Sequence, residues 1–217
     1  FFDSNAYVRC LAGFCLCCIY GWMRVSDMNR IANMEVRGEF AELCLLRVKT
    51  ARTKEKQTTF LPSVIPCRGV LGINWFAAFL FNRKFLGLED FPSPHSVARV
   101  DNFVVLPSES SLPLDNYVKV ATSEVTNGLR TILGRVCAFE VVRNFTSHSL
   151  KTTLLTYLGI MGCDYTYTEL LGYHLTQHRS AINYQRNALS APLRYMCDML
   201  DRSEERRVGK ECRSRWS

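Results

Sequence analysis

The sequence predicts a mainly helical α+β domain with one small antiparallel β-sheet, and three observations lead to that fold class. Apolar side chains recur at helical spacing along most of the chain, whereas β-favouring residues are concentrated in one early stretch. Hydrophobic residues make up 47% of the 217 residues, which is typical of a globular protein. A length of about 200 residues suits one domain with a sizeable core, so we expect a single domain over residues 1–201.

Local patterns predict the elements in chain order. The predicted elements are a helix over 7–19, a helix over 26–32, strands over 42–50 and 57–62 joined by a turn, a helix over 74–80, and helices that begin at Thr122 and at Ser147. The apolar run 11–23 is shorter than the roughly 20 residues that a bilayer span needs, so we expect a buried helix there. The last helix is expected to bury Leu150, Leu154, Leu155 and Leu158.

Five polar residues follow one another in an order that suits phosphoryl transfer. The transition state of a phosphodiester spreads negative charge over its non-bridging oxygens, which fixed cations and donors stabilise. Arg24, His148, Lys151 and His174 are of the right types, and the phenol of Tyr184 is a competent nucleophile. His148 and Lys151 are three residues apart at a predicted helix start, where the exposed amides favour a phosphate.

The order of these residues resembles the catalytic domain of the tyrosine recombinases, the phage-integrase-type enzymes that include those of mobile elements. In that family a G-x-x-R-x-S-E/D box opens a helix, a β-hairpin carries a Lys, and an H-x-x-R box is followed by L-G-H and a Tyr. The matching positions here are Gly21, Arg24, Ser26, Asp27, Lys49, His148, Lys151, Gly172, His174 and Tyr184. The resemblance covers about residues 14–193 and implies the integrase catalytic core fold.

The resemblance implies a role for each residue. Tyr184 would attack a scissile phosphate to form a 3′-phosphotyrosyl link, and His148 would exchange a proton with the tyrosine. Arg24 and Lys151 would clamp the non-bridging oxygens, and His174 would donate a hydrogen bond to the phosphate. Lys49 would protonate the leaving oxygen, with Lys54 as the alternative. In this context the nearby cations are expected to bind DNA: Arg47, Arg52, Lys54, Lys56, Arg179 and Arg186. The chemistry needs no cofactor and no metal.

The same resemblance implies double-stranded DNA as the partner, a homo-tetramer on paired sites and no membrane association. It implies a nuclear location in a eukaryote, or otherwise the cytoplasm or nucleoid. One departure matters, because Lys151 stands where the family has Arg. Lysine keeps the charge and loses the planar fork. Alternatives are therefore a catalytically impaired or domesticated DNA-binding copy, a type IB topoisomerase-like enzyme, and an unrelated globular protein.

The C-terminal residues 202–217 resemble the translation of a sequencing-library adapter, and we expect a non-native, disordered tail. A basic DNA-binding tail is the alternative. The net charge falls from +7 to +4 without it, since 21 basic and 17 acidic side chains remain. We expect the chain to be a fragment at both ends.

Ten cysteines at irregular spacing do not read as a disulfide framework, which favours a reducing compartment. The run Cys15-Leu-Cys17-Cys18 could form part of a metal site, but no second Cys or His pair at ligand spacing accompanies it. Buried helix thiols are the favoured interpretation.

Overall fold

The computed structural model describes residues 5–46, 60–88, 90–91, 104–112, 118–172 and 189–214. The strands are β1 (Ile31–Arg37), β2 (Phe40–Leu46) and β3 (Phe60–Pro66). The helices are α1 (Ala6–Tyr20), α2 (Val25–Met28), α3 (Trp75–Phe85), α4 (Thr122–Leu133), α5 (Phe139–Val142), α6 (Ser147–Ile160), α7 (Tyr165–Gly172) and α8 (Ser190–Ser214). Short 3-10 turns cover Val70–Gly72 and Glu109–Ser111.

The fold class is mainly helical with one small antiparallel sheet, which confirms the α+β prediction at this level. The strands lie in the order β1-β2-β3, with Leu43 opposite Met34 on one side and opposite Ser63 on the other. Pairing of β2 with β3 confirms the predicted hairpin partners, but β3 runs to Pro66 and not to the predicted end at Pro62. Their last described pair is Leu46 with Phe60, so the predicted turn lies outside the described residues.

The second predicted helix is wrong beyond its first turn. Helix α2 ends at Met28, and the chain continues as β1 from Ile31, a strand that the sequence patterns did not predict. The first four residues of β1 are all buried. A strand that is buried on both faces loses the apolar-polar alternation by which a strand is recognised.

The described chain divides into two compact units, residues 1–67 with 75–154 and residues 68–74 with 155–217. Helix α1 is the central helix of the first unit, and two glycines set its distance from its neighbours. A Cβ atom on Gly13 would lie 2.7 Å from Cγ of Phe79 in α3, and one on Gly128 of α4 would collide with the side chain of Leu11. Only glycine allows helices to approach this closely.

In the second unit α8 contacts α7 and the 3-10 turn at Val70–Gly72. The rings of Tyr167 and Tyr195 meet edge to face at 5.8 Å, and Leu171 and Met196 are fully buried. Helix α8 continues to Ser214, so residues 202–214 are helical where we expected disorder. The run is rich in Arg, Glu and Lys, which favour helix. Its non-native origin stays a prediction.

The cysteines of α1 are buried thiols, as predicted. Cys10, Cys15, Cys17 and Cys18 are free and buried, and burial raises the pKa of Cys15 to about 12. No group of His, Cys, Asp or Glu in the described part of the chain could hold a metal ion. Among the described helices, none has the length and apolar content to cross a membrane.

Candidate catalytic site

Helix α1 ends shortly before Arg24. The amide of Met23 donates to the Cys18 carbonyl at 3.0 Å and that of Trp22 to the Ile19 carbonyl at 3.4 Å, a Schellman ending of α1. Trp22 therefore has a φ of 50°, a left-handed conformation that usually falls to Gly. Its indole is buried in the core, and this packing offsets a strain of about 1–2 kcal/mol.

Gly21 and Asp27 of the same box have local structural roles. A Cβ on Gly21 would lie 2.8 Å from the Cys17 carbonyl oxygen and 2.9 Å from Cγ2 of Ile65, so the position has no room for a side chain. Asp27 accepts a 2.9 Å hydrogen bond from the Arg24 amide, which caps α2. The cap uses the backbone amide of Arg24, whose side chain is half-buried.

The second box opens α6. Leu150, Leu154 and Leu158 are buried, which confirms three of the four predicted inward positions. Lys151 is also buried, with 5% of its surface exposed, whereas His148 is exposed. The two side chains were expected to share one face, but they differ in their access to solvent.

Helix α4 holds the segment that leads into α6. The Thr126 hydroxyl accepts a 3.1 Å hydrogen bond from the Ser147 amide. The Arg130 guanidinium donates from Nε to the Phe145 carbonyl and from Nη2 to the Arg143 carbonyl, both at 2.9 Å. Three hydrogen bonds from α4 side chains thus fix the backbone directly before His148.

Helix α4 also anchors the Arg24 turn. It contacts α2, and the side-chain amide of Asn29, at the end of α2, donates to the carbonyl of Val120 at 3.0 Å. Val120 directly precedes Ala121, the N-cap of α4. Because a helix rises 1.5 Å per residue, Ala121 and Thr126 are about 7.5 Å apart along the helix axis. Asn29, two residues after the first box, is therefore hydrogen-bonded to the residue before the α4 N-cap, and Ser147, directly before the second box, is hydrogen-bonded to the N-terminal half of α4.

A carboxylate holds the first turn of α4 in place. Glu124 accepts hydrogen bonds from the Tyr7 hydroxyl and the Glu109 amide, each at 2.6 Å, and from the Ser108 hydroxyl at 2.9 Å. Partial burial by itself would raise the pKa of Glu124, but these donors, led by the Glu109 amide, keep it below its usual value. The cluster ties α4 to α1 and to the 3-10 turn.

The motifs did not point to Thr126, Arg130 or Asn29. Thr126 and Arg130 look like surface positions of an amphipathic helix, and their partners are backbone groups 13 to 21 residues away. Asn29 bonds to a carbonyl 91 residues away. No local pattern carries such a signal.

The other residues predicted for the site lie outside the described part of the chain. They are Lys49, His174 and Tyr184, together with Arg47, Arg52, Lys54, Lys56, Arg179 and Arg186. Comparison with protein-family models, with curated proteins and with solved structures finds no match to this chain. The resemblance to tyrosine recombinases therefore rests on the types and order of the residues.

Proposed function

We propose that this chain is the catalytic domain of a DNA strand transferase of the tyrosine recombinase type, which cuts and rejoins DNA in the site-specific recombination or integration of a mobile element. The observation that supports this most is that residues beside both proposed phosphate-binding boxes are hydrogen-bonded to α4 or to Val120, directly before its N-cap. Arg24 belongs to a turn anchored to Val120, and His148 follows a segment anchored to Thr126 and Arg130. Chance matches in an unrelated protein would have no reason to share a support.

In the proposed reaction the Tyr184 oxygen attacks the scissile phosphorus while the bond from phosphorus to the 5′ oxygen breaks. His148 accepts the phenolic proton, and Lys49 protonates the departing oxygen. Arg24 and Lys151 stabilise the charge on the non-bridging oxygens. The hydroxyl of a partner strand then reverses the same steps, and the phosphotyrosyl bond conserves the energy, so no nucleotide cofactor is consumed.

The exposure of His148 at the second position of α6 supports its proposed role. A proton acceptor must reach a group that arrives from solvent, and the amides of the first helical turn attract a phosphate. The proposed partner is double-stranded DNA, which a tetramer of the protein would bind at paired sites. The proposed location is the nucleus if the host is a eukaryote. Phosphate contacts would make this binding weaken with salt.

Replacement of Tyr184 by Phe tests the proposal. We expect Tyr184→Phe to lose all SDS-resistant adducts with a library of nicked duplexes of randomised centre, because the nucleophilic oxygen is gone. Salt-sensitive binding to the same library should remain. The matched control is Tyr165→Phe, which removes the hydroxyl of an exposed tyrosine and should leave the adduct yield unchanged. An equal yield from Tyr184→Phe would refute the assignment.

A second candidate function, DNA binding without cleavage, is favoured by one observation. Lys151 replaces the arginine of the family, and 95% of its surface is shielded in the folded chain. A buried ammonium without the guanidinium fork would hold phosphate less well. Salt-sensitive binding by the wild-type chain without adducts would favour this candidate.

Restoration of arginine separates the two candidates. If Lys151 clamps phosphate, Lys151→Arg should keep or raise the rate of adduct formation per bound DNA, since the fork grips two oxygens at once. Lys151→Met, which keeps the length and removes the charge, should abolish adducts. Thermal unfolding of each variant shows whether the larger side chain is accommodated. A stably folded Lys151→Arg without activity would mean that Lys151 is outside the clamp.

A further inference from the structure

We infer that Arg130 is a positioning residue of the candidate site, which sets His148 and Lys151 relative to Arg24 through the backbone of residues 143–147. This inference rests on the proposed function for its catalytic consequence. Its structural part stands on the two 2.9 Å hydrogen bonds from Arg130 to that segment.

The geometry of Arg130 suits a guanidinium and few other groups. Its Nε and Nη2 atoms reach carbonyls two residues apart in the chain, those of Phe145 and Arg143. A planar fork can serve both carbonyls with one rigid group, whereas an ammonium has no fixed spacing between its donors. Arg130 thereby restrains the backbone between α5 and α6 at two carbonyls.

The segment lies where a small shift would be transmitted to the site. Residues 143–146 join α5 to α6, and His148 follows Ser147, whose amide is held by Thr126. In the described part of the chain, Thr126 and Arg130 make the hydrogen bonds that join α4 to the backbone of this connection. A displacement of about 1 Å at a reacting group can lower a rate about 100-fold.

Helix α4 is itself held in place by contacts to α1, so it can act as a fixed support for the start of α6. Glu124 ties its first turn to Tyr7 of α1, and Gly128 lies directly against Leu11. The Arg24 turn is attached through Asn29, upstream of these contacts. Loss of Arg130 should therefore release the start of α6 while the Arg24 turn stays in place.

Three substitutions in α4 separate positioning from stability. Arg130→Met keeps the length and removes every donor, and Arg130→Lys keeps the charge without the fork. Val125→Ala, at a fully buried position of the same helix, destabilises the core and leaves the hydrogen bonds from Arg130 and Thr126 to residues 143–147 in place. The full chain is used throughout.

Two measurements are made on each variant: amide hydrogen exchange over residues 146–151, and the rate of adduct formation at saturating nicked-duplex library. We expect Arg130→Met to speed exchange in this stretch and to slow adduct formation about 10- to 100-fold, with DNA affinity unchanged. Arg130→Lys should restore part of both. Val125→Ala should lower Tm and leave the rate per folded molecule unchanged. If Arg130 had a purely structural role, Arg130→Met would give this same result.

The outcomes distinguish the inference from the function on which it rests. Unchanged exchange over 146–151 in Arg130→Met would overturn the inference whatever the activity. Faster exchange with a normal adduct rate would also overturn it, because Arg130 would then hold the segment without affecting the chemistry. Faster exchange in a chain whose wild type makes no adducts would refute the proposed function and the catalytic consequence, and would support only the hold on the backbone.

Discussion

Two arginines of this protein make the same kind of contact in very different surroundings. Arg83 of α3 donates to the carbonyls of Val104 and Val105, as Arg130 donates to those of Arg143 and Phe145. Arg83 is 2% exposed, whereas Arg130 is half-buried. Each guanidinium bonds to two backbone carbonyls, Arg83 from Nη1 alone and Arg130 from Nε and Nη2, and burial decides what each contact contributes.

Arg83 lies in an apolar environment. Its guanidinium is 4.3 Å from the ring centroid of Phe91 and 5.9 Å from that of Phe79. Desolvation by burial lowers its pKa to about 10, so the group stays charged at neutral pH. A buried cation needs all its bonds, and we assign Arg83 to the stability of the fold. Arg130 is screened by water, and its main effect is on geometry.

The largest expected effect is that of Arg83→Met. Hydrogen bonds to charged groups contribute about 1.5–3 kcal/mol each, and the substitution removes two of them and leaves their carbonyls without this donor. We expect a loss of about 3 kcal/mol or more in the free energy of unfolding in urea. Arg130→Met, whose carbonyls can turn to water, should lose about 1 kcal/mol. Equal losses from the two variants would mean that burial does not distinguish these arginines.

The contrast also shows what the sequence could predict of the fold. Helix α1, the start of α4 and the pairing of β2 with β3 followed from local patterns, because apolar spacing and helix-start residues are local signals. Strand β1 did not, since burial of both its faces removes the alternation. The tail was expected to be disordered on account of its origin, although its composition favours helix.

For the candidate site the limit was different. Order and spacing predicted Arg24, His148 and Lys151 as site residues, and in the structure residues beside their boxes are hydrogen-bonded to Val120 and Thr126. The burial of Lys151 depends on packing that spacing does not encode. Arg83 and Arg130 were missed for the same reason, because a charged side chain on a helix resembles a solvated surface until its distant carbonyl partners are known.

A smaller effect, with a pH signature, is expected from Glu124→Gln. Glu124 is the second charged anchor of α4 and, like Arg130, is only partly buried. Its pKa in the folded chain is depressed by the donors of Glu109, Tyr7 and Ser108. The carboxylate therefore stabilises the fold above its unfolded pKa, near 4.5, and this contribution is lost as the pH falls through the lower folded value.

We expect Glu124→Gln to lose about 1 kcal/mol of unfolding free energy at pH 7, because the amide accepts fewer hydrogen bonds and carries no charge. The gap to the wild type should narrow as the pH falls below about 4.5, because the folded carboxylate is protonated only below its unfolded pKa. Glu140→Gln, at an exposed position of α5, is the control and should change neither value. Glutamine has nearly the size and shape of glutamate, so a gap that stays constant with pH would show that the hydrogen bonds accepted by Glu124 matter at this anchor and that its charge does not.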